Sequence, residues 1–314
     1  MERNMYKKAI NLTLLGIYDE DLNRFRLRVG KDRAESSFKT LRQGRGYVAA
    51  FLREWFGVED IGLGELTPQF ITDFSVWLSA ERGLRGGTVW LACQLLKGVV
   101  TRAHGRGLLL WNPFCQFHIA KNIRPREYLT EEELLKLIKA ELPKANLRFA
   151  RDIFVFAAFT GLSFIDIREL RGENIIEVYG SEWICTKRHK TGIPFQVKLL
   201  PVAQEIIRRH GTLSGGRIFG DLQYRTLAKQ VAKVMNVCGF RKHITLHCAR
   251  HSFAVLALSK GMPIESVSRI LGHTNITTTQ IYAKITMQKL DHDMTAFAER
   301  LKSDIAEYTL IQRI

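Results

Sequence analysis

One stretch of this 314-residue chain breaks an otherwise helical pattern. Residues 175–201, IIEVYGSEWICTKRHKTGIPFQVKLLP, carry β-favouring residues on either side of Gly180 and again around Lys190-Thr191-Gly192. Glycine-bearing turns between such runs reverse the chain, so the stretch predicts a small antiparallel sheet of two or three strands. A sheet that small cannot stand alone in water. Helices must cover it, and the flanking sequence supplies them: apolar spacing predicts helices over 130–141, 147–160, 165–170, 201–210, 224–238, 247–259 and 263–271. The expected fold class is mainly α with a small antiparallel sheet.

The chain is also too long for one comfortable core. Residues 35–56 place Tyr47, Phe51, Leu52 and Trp55 at helical spacing. Thr67-Pro68 reads as a cap and first-turn proline for a helix carrying Phe70, Ile71, Phe74, Trp77 and Leu78, and another helix runs from about 87 to 102. Pro113 and Pro125 then bracket a basic stretch with Lys121, Arg124 and Arg126, and Thr130-Glu131-Glu132-Glu133 is a capping box that opens a new helix. The expected organisation is an N-terminal extension (1–29), a small helical domain (30–115), a linker (116–126) and a larger second domain (127–314).

Charge narrows the partner. The chain carries 47 Lys and Arg against 31 Asp and Glu, a formal +16. Residues 1–115 hold a net +5 and residues 116–314 a net +11, so both halves are basic. An anionic partner is expected, and nucleic acid is the first candidate because phosphates reward dispersed cations. The five cysteines are scattered and contain no C-x-x-C pair, which fits free thiols in a reducing cytoplasm. The apolar segment near 9–18 is short, contains Asn11 and lacks a cleavage signature, so it is read as neither signal peptide nor membrane span.

Two motifs carry chemistry. In HCARHSFA (247–254), His247 and Arg250 lie at i, i+3 on one helical face and can approach one ligand. A guanidinium forks onto two phosphate oxygens, and an imidazole adds a third donor. His247 and His251 also stand at i, i+4, but the glutamate of a zinc-protease helix is absent and Cys248 takes its place, so no metal and no other cofactor is expected. In LGHTNITTTQIY (271–282), Gly272 ends a helix, His273 follows at the turn, and Thr277-Thr278-Thr279 can cap a helix carrying Tyr282. Taken alone, Tyr282 is more often a core aromatic than a nucleophile.

Together, His247-Cys-Ala-Arg250-His-Ser-Phe-Ala, Leu271-Gly-His273 and Tyr282 resemble the tyrosine recombinase (phage integrase) family in order and approximate spacing. The resemblance covers the second domain, and the helical first domain resembles that family's SAM-like core-binding domain. It implies a site-specific recombinase in which Tyr282 attacks a DNA phosphodiester, leaving a 3′-phosphotyrosine and a 5′-hydroxyl. Arg250 and His273 would hold the non-bridging oxygens and His247 would share proton handling. A phenol ionises near pH 10, so such a nucleophile needs cations and donors around it. A lysine on a β-hairpin supplies the leaving-group proton in the family. Lys190 fits that place, with Lys187 and Arg188 as rivals that otherwise contact DNA phosphates, as Lys121 and Arg124 are expected to do.

The family's first catalytic arginine is missing. In AAFTGLSFIDIREL the position after Thr-Gly-Leu is Ser163, while Asp166 matches the acidic residue just downstream. Integrases of Bacteroides-type mobile elements look like this. Arg168 is a poor replacement, because five helical residues turn it about 140° away from Ser163. Arg151, on the preceding apolar helix, is the expected substitute. The resemblance further implies a homotetramer on double-stranded DNA carrying core sites, a Holliday junction, accessory DNA-bending proteins, and a cytoplasmic, nucleoid-associated location. A C-terminal segment with Leu301, Ile305 and Leu310 would dock on a neighbouring subunit or pack on its own. The competing readings are a helix-turn-helix regulator, from the spacing of Ala257, Gly261, Ile264, Val267 and Ile270, and a type IB topoisomerase-like enzyme.

Overall fold

The structure is a computed structural model that describes residues 12–120, 127–189, 192–212, 216–282, 290, 293–299 and 301–302. The chain divides into two compact units, with the division falling between Arg124 and Pro125. Among the described residues no helix is long and apolar enough to cross a membrane.

The first unit is built from four helices: α1 (Leu14–Arg26), α2 (Glu35–Phe51), α3 (Pro68–Ala80) and α4 (Gly86–Gly105). Their apolar stripes meet in one core containing Tyr18, Phe51, Phe74, Trp77, Leu96 and Phe114. Pro68 occupies the first turn of α3, where its missing N–H costs nothing, although the Thr67 hydroxyl makes no cap. The largest departure from expectation is α1. The segment assigned to an N-terminal extension buries Leu14, Leu15, Ile17, Tyr18 and Leu22, a helical stripe, in the same core as α2 to α4. Three consecutive acidic residues, Asp19, Glu20 and Asp21, interrupt its apolar run and mask the stripe in the sequence.

The second unit opens with α5 (Glu131–Lys139), where the Thr130 hydroxyl accepts from the Glu133 N–H and the Glu133 carboxylate accepts from the Thr130 N–H. Its central element is α6 (Ala145–Thr160). Ile153, Phe154, Val155, Phe156, Ala157 and Ala158 are all buried, so the helix is covered on every side, as an apolar helix of this kind must be. Around it pack α5, α8 (Pro201–His210), α9 (Tyr224–Val237) and α10 (Leu246–Ser259). The short α7 (Phe164–Arg168) follows α6, and α11 (Ile264–Leu271) and α12 (Thr277–Gln280) follow α10.

The sheet is a three-stranded antiparallel meander, β1 (Ile175–Val178), β2 (Ser181–Lys187) and β3 (Pro194–Lys198), in the order β1-β2-β3. Tyr179 and Gly180 both take positive φ at the first turn, the geometry that matches the natural twist of a two-residue hairpin. Ile184 pairs with Val197 and Thr186 with Phe195, and β3 alternates exposed and buried residues along its length. Only one face therefore meets the helices. Lys190 and Thr191, at the second turn, lie outside the described residues, as do Lys121 and Arg124, and Ile305 and Leu310 of the C-terminal segment.

The Thr130 cap anchors the first helix of the second unit. Thr130→Ala is expected to lower the stability of that unit by about 1 kcal/mol in denaturant unfolding, the usual cost of a lost N-cap.

Candidate active site

Two helices end at one place. α6 stops at Gly161, whose φ of 67° is left-handed, and α11 stops at Gly272, with φ of 60°. The last carbonyls of a helix have no partner within it and carry the negative end of its dipole. Guanidinium groups take them up here. Arg250, on α10, donates to the Gly161 carbonyl at 2.8 Å and to the Leu271 carbonyl. Arg188, just past β2, donates to the same Gly161 carbonyl and to that of Ile270.

Arg188 also bonds Asp166 Oδ2 at 2.6 Å, and both side chains are buried. Its guanidinium carbon lies 3.9 Å from the Phe195 ring centroid, a cation–π contact. Asp166 is held from three sides: by Arg188, by the Ser163 hydroxyl at 2.7 Å, and by the His189 N–H at 3.1 Å. Burial alone would raise its pKa, yet these donors hold it below the ordinary carboxylate value, so it stays charged. Ser163 is thus the cap of α7, with its own N–H also bonded to Asp166.

The balance of these charges defines the site. Two guanidiniums, Arg188 and Arg250, face one carboxylate, Asp166. Burial, reinforced by Arg188, pushes the Arg250 pKa down to about 10, and burial lowers that of Arg188 as well. Both remain cationic at neutral pH, so the cluster holds an excess positive charge that an anion would offset. Among the described residues, buried Arg188 Nε has no hydrogen-bond partner.

His273 stands beside this pair. Its Nδ1 is 2.8 Å from the buried Thr279 hydroxyl, which fixes the ring. Burial first, then Arg250 and Arg188, push its pKa down to about 4, so the resting ring is neutral. Tyr282 follows α12. Its phenol oxygen is hydrogen-bonded to Nδ1 of buried His251, and the two ring centroids are 5.1 Å apart. His247, one turn before His251, meets it edge to face at 4.6 Å. Among the described residues no group of three or more His, Cys, Asp or Glu side chains is arranged to hold a metal ion.

The structure therefore brings together Arg250, His247, His273, Tyr282, Asp166 and Ser163 from the sequence reading. It does not bring in Arg151. That side chain is buried in a different network, bonded to Asp152 at 2.8 Å and to the Ala140 carbonyl at 2.8 Å, with His210 and Arg209 on the same carboxylate. Ten residues of α6 separate it from Gly161, about 15 Å of helix. The guanidinium beside Asp166 belongs to Arg188, which the sequence places as a rival to Lys190 or a DNA phosphate contact rather than as the missing arginine. The only clue was Asp166 itself, a carboxylate in need of a cation. Lys187 is exposed at the end of β2. The threonine run does not cap α12 either: Asn275 Oδ1 accepts from the Thr277 N–H, and Thr279 instead orients His273. From spacing alone, His251 presents itself only as a metal ligand paired with His247.

Comparison with known proteins supplies the context for this geometry. Residues 127–289 match the phage integrase family and residues 13–119 match a phage integrase SAM-like domain. The chain is 25% identical over 281 residues to tyrosine recombinase XerC of Oceanobacillus iheyensis, spanning 84% of this chain and 90% of that protein. It is 31% identical over 172 residues to tyrosine recombinase XerA of Pyrococcus furiosus, covering 52% of this chain and 58% of that one. Among solved structures, the Tn1549 transposon integrase with transposon right end DNA aligns at a TM-score of 0.72 with 14% identity, over 91% of this chain and 99% of that chain. The XerH site-specific recombinase in a post-cleavage complex with a palindromic difH substrate aligns at 0.67 with 19% identity, over 91% and 96%.

Two outcomes are expected of the site. A Cβ at Gly272 would lie 2.6 Å from Arg188 Cγ, whereas one at Gly261, also at positive φ, meets nothing within 4 Å. Gly261→Ala should cost about 1–2 kcal/mol from backbone strain alone, and Gly272→Ala should cost more in the same unfolding assay. The His273 imidazole should titrate by NMR near pH 4, and an anion bound between the arginines should raise that midpoint. From about pH 6.5 down to about 4 the unfolded chain takes up a proton that folded His273 refuses, so this residue's contribution to stability falls as pH falls.

Proposed function

We propose the reaction from one premise: this chain belongs to the phage integrase family, and its activity is site-specific DNA recombination. Tyr282 is the nucleophile. Its phenol oxygen attacks a DNA phosphodiester, the bond to the 5′-oxygen breaks, and a 3′-phosphotyrosine conserves the bond energy, so no nucleotide cofactor is needed. The observation that carries this reading is the excess positive charge of buried Arg188 and half-buried Arg250 over Asp166, beside Tyr282. A phosphorane-like transition state brings extra negative charge to that point, and fixed donors there need no reorganisation.

Arg188 takes the role of the arginine absent at Ser163. It is anchored by Asp166 and by two helix-end carbonyls, so its position is set before DNA arrives. Arg250 and His273 hold the non-bridging oxygens, His273 as a neutral donor in the resting site, and His247 shares proton handling. Lys190, at the β2–β3 turn, is assigned the leaving-group proton. Lys121, Lys187 and Arg124 contact backbone phosphates, which position DNA without reading its sequence.

The solved relatives with DNA, the Tn1549 integrase and the XerH recombinase, support double-stranded DNA as the substrate here. Strand exchange between two duplexes calls for four protomers and a Holliday junction, with accessory bending proteins where the sites are distant. The domain plan follows the same reading: a SAM-like domain and a catalytic domain grip one duplex, and the chain works on the nucleoid in the cytoplasm. A Leu301-bearing C-terminal segment joins neighbouring subunits.

Nicked suicide duplexes, tiled across the DNA flanking the coding gene, test the proposal. Wild-type protein should form a denaturant-resistant adduct and Tyr282→Phe should form none. Arg188→Ala should slow adduct formation by about 10²–10³-fold, the usual loss for one charge-stabilising donor. Arg151→Ala should alter stability while leaving the rate per folded molecule within a few-fold. An adduct that survives Tyr282→Phe, or equal rates for Arg188→Ala and wild type, would refute the assignment.

A further inference from the structure

His251 is the one member of the site cluster to which the proposed reaction gives no task. It sits on α10 at i+4 from His247 and beside Arg250, yet only 3% of its surface is exposed. A buried imidazole must be accounted for by its partners. Its Nδ1 is hydrogen-bonded to the Tyr282 phenol oxygen, the atom that would attack phosphorus. The rings are tilted by 45° at 5.1 Å, and His247 closes the other side with an interplanar angle of 88°. His273, by contrast, has its Nδ1 engaged by Thr279.

We propose that His251 is a further catalytic residue, which orients the Tyr282 phenol and accepts its proton during strand cleavage. The inference rests on Tyr282 being the nucleophile. As the phenol oxygen bonds to phosphorus, its O–H bond breaks and the proton passes to His251 Nδ1. The bond from phosphorus to the 5′-oxygen breaks in the same displacement, and that oxygen takes a proton from Lys190. On rejoining, the 5′-hydroxyl attacks the phosphotyrosine and returns its proton to Lys190, the bond from phosphorus to the tyrosine oxygen breaks, and the departing phenol oxygen recovers its proton from His251. Acceptance at Nδ1 requires the tautomer with its proton on Nε2. Burial of His251 keeps bulk water from competing for its Nδ1.

A leaving-group substitution separates the two ends of the displacement. Replacing the scissile 5′-oxygen by sulfur makes departure easy without an acid, so it rescues defects in leaving-group protonation and not in nucleophile activation. His251→Asn keeps a hydrogen-bonding group close to the Nδ1 position and cannot hold a proton. His251→Ala is read only beside it, because it empties a buried site.

In the suicide-duplex assay, His251→Asn should lose about 10²–10⁴-fold in adduct formation on oxygen and sulfur substrates alike. Its DNA binding and melting temperature should stay near wild type. Lys190→Ala should recover on sulfur. A His251→Asn rate within threefold of wild type, or a defect rescued by sulfur, would overturn the proposal. Independently of any variant, nitrogen-15 NMR of the wild-type protein should show an unprotonated Nδ1 at His251, and a proton on Nδ1 would overturn the proposal. Failure of wild type to form any adduct would instead refute the nucleophile reading on which this one rests.

Discussion

The carbonyl oxygen of Gly161 is the point on which the site hangs. It accepts from both Arg188 and Arg250, which arrive from elements 27 and 89 residues away. That oxygen is available because α6 ends there, in a left-handed residue where a Cβ would strike the Phe253 ring at 2.8 Å. Gly161 thus serves three needs together: it stops the helix, admits Phe253, and exposes an unpaired carbonyl at the negative end of the helix. The Ile270 and Leu271 carbonyls at the end of α11 complete the cradle.

Holding guanidiniums with helix ends rather than with carboxylates has a chemical consequence. A buried arginine is usually matched by a buried acid, which neutralises it and leaves nothing for a ligand. Here four bonds to main-chain carbonyls and one carboxylate hold two cations. Arg188 shares the single carboxylate, Asp166, while Arg250 meets only the partial charges of carbonyls, so a net positive field survives in a desolvated place. Burial lowers the pKa values of Arg188, Arg250 and His273, and for Arg250 and His273 the neighbouring guanidiniums lower them further. An anion that bound such a site only in the folded state would recover part of the stability that the crowded charges cost.

Much of this was legible in the sequence. The helices of the second unit, the capping box at Thr130 and the two turns of the sheet are local devices, written in residues a few positions apart. The motif residues His247, Arg250, His273 and Tyr282 could be found because their spacing is itself short-range. What escaped was long-range or compensated. Arg188 lies 22 residues from Asp166, and no periodicity announces that the end of β2 will meet the cap of α7. In the sequence it is one of three basic residues beside a turn, which looks like a solvated run. Arg151 was attractive because it lies on the helix that precedes Ser163, but a helix long enough to fill the core carries its first turns away from its last. α1 was overlooked because Asp19 and Glu20 break its apolar pattern, and their partners, Arg45 for Asp19 and Arg106 for Glu20, come from α2 and the end of α4.

The substitution at Ser163 then reads as a relocation. A guanidinium projecting from position 163 would come from the first residue before α7, on a backbone that must also cap that helix. Serine performs the cap with Asp166, and the same carboxylate accepts the arginine from the hairpin. Asp166 is therefore the hinge of the arrangement: it ends one task, closing α7, where it begins another, fixing Arg188. An arginine delivered by the strand rather than by the helix is tied to the β2–β3 turn, because the Arg188 N–H bonds the Ile193 carbonyl at 2.8 Å across that turn. In a site built this way, movement of the hairpin would move the Arg188 guanidinium within the cation cluster. Hairpin position and charge stabilisation are then a single variable, whereas a helix-borne arginine would hold the two apart.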